Sequence, residues 1–426
     1  MGQKVRRGRL GRLRPWITIG LGSLIVLGGA IVLLRTGVTI DRVGGHVNDS
    51  ADRWQHAFWR RPIPLQGPVP AGYLAQAAGL RVENCALCHP VQAADWRQSL
   101  HGAAMGPGVA GQLPGMTAED RGTCLECHAP LGEQWAELPD AAAWKANAAF
   151  DGKLMHEGVV CAACHVRAHV RNGPPLVEGK ASISQIFHGQ PVRTDYFEAS
   201  EFCKACHQHE AGFQAPNGKP VENTYREWAD SPAAKEGKSC QSCHMPGRRH
   251  LWKGIHDPEM TRSGVTVETS FQPKLPRQGR TVEARLSIKN TGVGHAFPTY
   301  TTPAVYLRAA FLDGAGKNLS TKPAAETVLQ RRLDMSTDPW GEASDSRLLP
   351  GESATLEIRQ AVPAGARSLR LWIAVEPDQF YARFFEERLA ESPAPDVARR
   401  YRSALAKTHS TPYVLFETAI PLEAGP

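Results

Sequence analysis

Five copies of one short pattern organise this sequence: Cys85-Ala-Leu-Cys88-His89, Cys124-Leu-Glu-Cys127-His128, Cys161-Ala-Ala-Cys164-His165, Cys203-Lys-Ala-Cys206-His207 and Cys240-Gln-Ser-Cys243-His244. The chain of 426 residues holds ten cysteines, and the five motifs use all ten. A two-residue spacer lets one short helical turn present both sulfurs to the same edge, with an imidazole directly behind the second. The chemistry this suits is covalent capture of a porphyrin: the thiols add to its two vinyl groups and the histidine lies beneath its iron as proximal ligand. Zinc sites need two such pairs on one ion, so five pairs do not tile into four-ligand sites. A disulfide framework does not call for a histidine after every second cysteine. Five covalently attached c-type haems are therefore expected, with His89, His128, His165, His207 and His244 as proximal iron ligands.

The sixth iron ligands decide between conduction and catalysis. Two histidines close both axial positions and make an electron carrier, whereas a vacant position makes a substrate site. Sixteen histidines less the five proximal ones leave eleven. His101 follows a Trp-x-x-Ser turn whose indole suits a porphyrin face. His188 lies in QIFHGQP between the third and fourth motifs, and His250 and His256 flank HLWKGIH behind the fifth. These four are expected to close haems, with His156 and His169 in reserve. His46, His56 and His409 read as ordinary histidines.

A repeat sharpens the expectation. Asp95-Trp96-Arg97-Gln98-Ser99-Leu100-His101 is answered by Glu227-Trp228-Ala229-Asp230-Ser231-Pro232-Ala233, and CHAPLG behind the second motif by CHMPG at the fifth. Two haem-pair modules are implied, with the third haem between them. The position of His101 has become Ala233, so the second module needs a ligand from elsewhere. His295 in NTGVGHAFPTY is the candidate: Gly292 and Gly294 allow close backbone approach, and Phe297 suits a porphyrin edge.

The elements that must hold these groups divide the chain in four. Residues 1–14 carry six basic side chains and no acid, and Pro15 to Leu34 is an uncharged run of twenty residues. At about 1.5 Å per residue it matches a bilayer core of roughly 30 Å. No small-residue cleavage site follows it, so residues 1–35 are expected to form a cytoplasmic basic flank and transmembrane anchor. The basic flank then directs the haem-bearing part to the periplasmic side of a bacterial inner membrane. The formal net charge of +7 is carried by Lys4, Arg6, Arg7, Arg9, Arg12, Arg14 and Arg35, so it describes the anchor and argues against nucleic-acid binding. Residues 36–75, with RRPIPLQGPVPAG, read as a Pro-rich tether. Residues 76–262 hold every motif, with first cysteines 39, 37, 42 and 37 apart; Gly, Pro and Asn interrupt nearly every run there, predicting short motif-bearing helices and long loops.

From 263 to 426 the pattern changes to alternating polarity. VTVETSF, TVEARLSIKN, AVYLRAAFLD, ATLEIRQA and SLRLWIAVEPD predict strands of an antiparallel immunoglobulin-like β-sandwich. FYARFFEERLAES and DVARRYRSALAK predict two added helices, and PYVLFETAIPL a closing strand. The expected fold class is thus α+β multidomain.

The stretches ADWRQSLH, GVVCAACHVRAHVRNGPP, SEFCKACHQ, NTYREWADSPAAKEGKSCQSCHMPGRRHLWKGIHDPEM and NTGVGHAFPT resemble the multihaem cytochromes c grouped around cytochrome c-554, more distantly related to hydroxylamine oxidoreductase and octahaem tetrathionate reductase. The resemblance covers roughly residues 80–300. It implies closely stacked haem pairs, electron transfer with catalysis in some relatives, the five motif histidines as proximal ligands and His101 as a distal one. The C-x-x-C-K motif of a lysine-ligated catalytic haem is lacking, which counts against that catalytic kind, and no motif is surplus to serve as a tyrosine-cross-linked site. The expectation is a membrane-anchored pentahaem cytochrome that carries electrons between a donor, the quinol pool or a periplasmic protein, and a redox partner. The alternatives are an oxidoreductase converting a small nitrogen or sulfur compound at one five-coordinate haem, and a quinol dehydrogenase.

Overall fold

The structure is a computed structural model that describes residues 56–141, 143–176, 189, 191–210, 215–337 and 340–423. Contacts divide the chain between Asp49 and Ser50; the first unit lies outside the described residues, and every described element belongs to the second. Among the described residues no helix is long and apolar enough to cross a membrane. The longest, Pro395–Thr408, has 14 residues and is interrupted by Asp396, Arg399, Arg400, Arg402 and Lys407. The expected transmembrane helix, and the single-pass inner-membrane placement built on it, are therefore not upheld. That expectation fell on residues outside the described ones and rested on the length and hydropathy of the run, its basic flank and the lack of a cleavage site behind it.

The motif-bearing part is built from short pieces. Helices Ala118–His128, Cys161–His165, Glu201–His207 and Cys240–His244 each end on the motif histidine. The first motif follows the same turn, with the His89 N–H donating to the Cys85 carbonyl at 2.9 Å. Asp151, Ser231 and Asp257 cap neighbouring helices by accepting from backbone N–H groups, which satisfies donors that so short a helix leaves exposed. Two small sheets lie among them: β1 (Glu137–Asp140) with β2 (Ala143–Ala146), and β3 (Val166–Arg167), β4 (Val170–Gly173) and β5 (Val192–Arg193). The apolar interior here is fragmentary, with one cluster around Ile63, Trp96, Leu131 and Ala162 and another around Met105, Leu125 and Trp135.

The C-terminal part has the continuous core that the first part lacks. β6 (Val265–Gln272), β7 (Thr281–Asn290) and β12 (Ser353–Ala361) form one antiparallel sheet in the order β12-β7-β6. β8 (Ala304–Leu312), β9 (Ala325–Leu329), β13 (Ser368–Glu376) and β14 (Tyr413–Pro421) form the other, in the order β14-β13-β8-β9. Period-two burial along β7 turns Val282, Ala284, Leu286 and Ile288 inward, where they meet Leu307, Leu371 and Ile373 of the facing sheet.

Two features tie this sandwich to the motif-bearing part. The hairpin of β10 (Arg331–Asp334) and β11 (Gly341–Asp345) buries Arg331, which pairs with Glu342 at 2.8 Å and donates to the carbonyls of Lys219 and Pro220 at 2.7 and 2.6 Å. Helices Gln379–Ala390 and Pro395–Thr408 pack back on the short helix Pro107–Gln112, and Arg400 donates to the Ala110 carbonyl at 2.6 Å. Removing one partner of a buried ion pair strands the other charge, at a cost of about 3–5 kcal/mol. Arg331→Ala is therefore expected to lower the unfolding free energy by about that much, measured as a shift of the denaturation midpoint with an unchanged slope.

Candidate functional site

Histidine rings meet in three pairs. His207 faces His101 with ring centroids 6.3 Å apart, His165 faces His250 at 6.2 Å, and His244 faces His295 at 6.3 Å. An iron–nitrogen bond of about 2 Å on each side, plus roughly 1.1 Å from ring nitrogen to ring centre, would separate two imidazoles on one iron by about 6.2 Å. Each pair joins a motif histidine to one outside the motifs. The spacing fits one metal atom between the two rings of each pair.

The ring nitrogens are prepared for that role. Nδ1 of His165 donates to the Asn172 carbonyl at 2.8 Å and Nδ1 of His244 to that of Lys253 at 2.6 Å. On the opposite side, Nδ1 of His250 donates to the Arg248 carbonyl and Nδ1 of His295 to that of Ala296, both at 3.0 Å. A carbonyl only accepts, so Nδ1 carries the proton and Nε2 keeps its lone pair for a metal. Burial pushes His101 down to about 3 and both His165 and His295 down to about 4. These imidazoles are neutral, as ligation requires.

The ten cysteines are all free thiols, and motifs meet through them. Cys85 and Cys161, Cys127 and Cys206, and Cys203 and Cys240 are close enough to perturb each other's ionisation. The first motif thus adjoins the third, and the fourth adjoins both the second and the fifth. The neighbouring Cys240 and then burial hold the Cys203 thiol well above its ordinary value, with Cys164 of the third motif among the further charges acting on it. Paired thiols on helical turns, facing imidazoles and a motif-bearing region with only small apolar clusters of its own are features that would suit a porphyrin.

The remaining candidates fall elsewhere. His128 donates through Nδ1 to the Ala104 carbonyl at 2.7 Å, and among the described residues no histidine ring opposes it. His256 is not brought to a motif: its Nε2 lies 3.0 Å from the Asp378 carboxylate, beside the C-terminal helices. His169 is buried with Nε2 against the Gly67 carbonyl at 3.1 Å. His188 lies outside the described residues.

Residues that sequence reasoning did not single out complete the surroundings. Asp95 accepts from Arg249 twice at 2.6 Å and from the His250 backbone N–H at 3.0 Å. Glu227 pairs with Arg347 at 3.1 Å and accepts from the Ala296 N–H at 3.2 Å. Beside the second motif, Arg61 approaches the Cys127 sulfur at 3.7 Å, and the half-buried Tyr300 and Tyr381, which perturb each other, lie within electrostatic reach of Cys127 and Cys124. Asp95 and Glu227 had a signal, since they occupy equivalent places in the repeat. Arg347 and Tyr381, far along the chain, had none.

No family model matches this chain, and no curated protein matches it. Among solved structures it is similar to a penta-heme cytochrome c552 from Thermochromatium tepidum, at 18% identity and a TM-score of 0.56, over 81% of this chain and 99% of that one. The likeness shows a shared fold across the whole of that protein. A match to the alkylpurine DNA glycosylase AlkC of Pseudomonas fluorescens covers 41% of this chain and 36% of that one at 9% identity, and its TM-score of 0.19 describes no common architecture.

The Asp95 interaction has a pH signature. The Arg249 hydrogen bonds hold the Asp95 carboxyl below its ordinary value, so its contribution to stability is full above the unfolded carboxyl value of about 4 and is lost as pH falls through the depressed folded one. Asp95→Asn is expected to be less stable than the parent at pH 7, with the two melting temperatures converging as the pH drops below about 4.

Proposed function

We propose that this protein is a multihaem c-type cytochrome that carries electrons to or from a redox partner protein, with a porphyrin at each of the five motifs. The three histidine pairs at iron-spanning distance carry this reading. In it, Cys85 and Cys88, Cys124 and Cys127, Cys161 and Cys164, Cys203 and Cys206, and Cys240 and Cys243 hold the porphyrins. His207 with His101, His165 with His250, and His244 with His295 supply both axial positions at the fourth, third and fifth motifs. The iron supplies the one-electron chemistry; the protein sets its potential through imidazole ligation, burial and the Nδ1 hydrogen bonds. The fold shared with a penta-heme cytochrome supports the same reading.

The thiol contacts support a route that does not follow the sequence. The first motif adjoins the third, the third lies within electrostatic reach of the fourth through Cys164, and the fourth borders both the second and the fifth. The fourth is the branch point.

A specific observation supports a second reading, an oxidoreductase acting on a small nitrogen or sulfur compound at the second motif. No histidine opposes His128 among the described residues, and the nearby Tyr300 and Tyr381 are held protonated by burial. Two phenols are proton donors of the kind a reduced small ligand needs.

Haem content and ligand binding test both readings. Pyridine haemochrome assay and intact mass should give five covalent haems per chain, and His101→Ala should convert one low-spin ferric signal to high-spin at unchanged haem content. Retention of every low-spin signal would remove His101 from the ligands. Carbon monoxide should bind the reduced parent protein at the haem of the second motif; a second-motif haem that takes up none would close that motif and leave electron transfer as the sole reading.

A further inference from the structure

The repeat noticed in the sequence has a spatial meaning that its order along the chain conceals. Trp96 donates its indole N–H to the Val159 carbonyl at 2.7 Å, and Val159 stands two residues before Cys161. Trp228 donates to the Lys238 carbonyl at 2.9 Å, and Lys238 stands two residues before Cys240. Each tryptophan therefore grips the entry to a motif at the same place. The third motif is the spatial counterpart of the fifth, although CHAPLG and CHMPG align the second with the fifth.

The acid before each tryptophan does a matching job on the other side. Asp95 accepts from the N–H of His250, which faces His165 of the third motif. Glu227 accepts from the N–H of Ala296, directly behind His295, which faces His244 of the fifth. Each acid is also held by an arginine, Asp95 by Arg249 and Glu227 by Arg347. The side chains of Asp95, Glu227 and Arg347 are 3%, 6% and 4% exposed, so neither acid is a casual surface contact. In the first copy the opposing histidine comes from the loop behind the fifth motif. In the second it comes from a different part of the chain, the loop after β7 of the sandwich.

The fit of that loop depends on the residue that differs between the copies. Gly294 lies so close to Ala233 that a side-chain carbon on it would stand 3.1 Å from the Ala233 Cβ and 3.4 Å from Trp228. Ala233 occupies the place of His101 in the repeat. An imidazole there would occupy the space the loop uses, so the loss of the repeat's histidine and the arrival of His295 are two sides of one packing arrangement.

We propose that the Asp-Trp and Glu-Trp pairs are one haem-closing device used twice: the tryptophan fixes a motif, the acid fixes the backbone that presents the opposing histidine, and in the second use the β-sandwich supplies that histidine as His295. Asp95 and Glu227 are positioning residues, and the fifth haem is completed only with the sandwich docked. This rests on the electron-carrier reading above, because it assigns a ligand to one of its haems.

The experiment uses the full chain. His295→Ala should retain the parent haem content, replace one low-spin ferric signal by one high-spin signal, take up one further carbon monoxide when reduced, and return to low spin when free imidazole is added. Glu227→Ala should perturb the same haem, so that combining it with His295→Ala opens no second iron. Asp95→Ala should perturb a different haem, and combined with His295→Ala its change should add. His295→Met, which keeps the bulk of the side chain, provides a second route should the alanine variant not fold: a thioether opposite His244 should raise the potential of one haem. A haem-loaded His295→Ala protein with the parent's low-spin count and carbon monoxide uptake, or a folded His295→Met protein with every potential unchanged, overturns the proposal. A parent chain that carries no covalent haem would instead defeat the electron-carrier reading itself.

Discussion

The constraint on which this architecture turns is the separation of facing imidazoles by the width of a metal atom and its two bonds. Two rings at 6.2–6.3 Å are too near to admit a protein layer between them, and a weak ring–ring contact cannot by itself set so narrow a range in three separate places. Nothing in the rings themselves holds that spacing. It is imposed by backbone, through carbonyls that accept from Nδ1 and helices that end on the motif histidine. The motif-bearing part can therefore consist of short helices with fragmentary apolar clusters, because its elements are placed by what they present rather than by a common core. On the proposed reading, a region with so little core of its own would be completed by the large apolar faces of porphyrins and by the sandwich that abuts it.

That dependence explains the distribution of buried charge. Arg331, Glu342, Arg347 and Glu227 lie where the β10–β11 hairpin meets the chain before the fifth motif. Buried ion pairs contribute little net stability compared with apolar contacts, but they are intolerant of misplacement. Between two parts whose mutual position must hold a ligand at fixed distance, that intolerance is useful. Burial of Asp345 raises its carboxyl, but hydrogen bonds from Arg347 and Lys219 outweigh this and hold it well below the ordinary carboxylate range, so the network remains ionised wherever the protein is folded near neutrality.

Much of the site was legible because its chemistry is local. A C-x-x-C-H motif needs one helical turn, and all five turns are read directly from spacing. His101, His250 and His295 were visible as candidates from glycines, aromatics and the broken repeat, and each stands opposite a motif histidine. The strands of the sandwich were legible from period-two alternation, as along β7. The partners were not: nothing local assigns His101 to the fourth motif rather than to one of its own neighbours, since the two histidines stand 106 positions apart in the chain. His256 resembled His250 in every local respect and differs only in meeting Asp378, 122 residues away. The apolar N-terminal run lies outside the described residues, and none of the described helices has the length or apolarity to take its place.

The repeat shows how a small change redistributes work within such a molecule. In the first copy one loop supplies two things, the tryptophan that grips the third motif and the histidine that faces the fourth. In the second copy the tryptophan remains and the histidine is gone, so the element closes nothing by itself. An alanine at that place leaves a shallow seat, and a glycine-flanked loop from the sandwich fills it while carrying a histidine of its own. The same substitution that removes one metal-facing group thus creates the contact that admits another. On the proposed reading, a β-sandwich without cysteines gains a reason to accompany the five motifs: it presents, opposite His244, the imidazole that the duplicated element lacks.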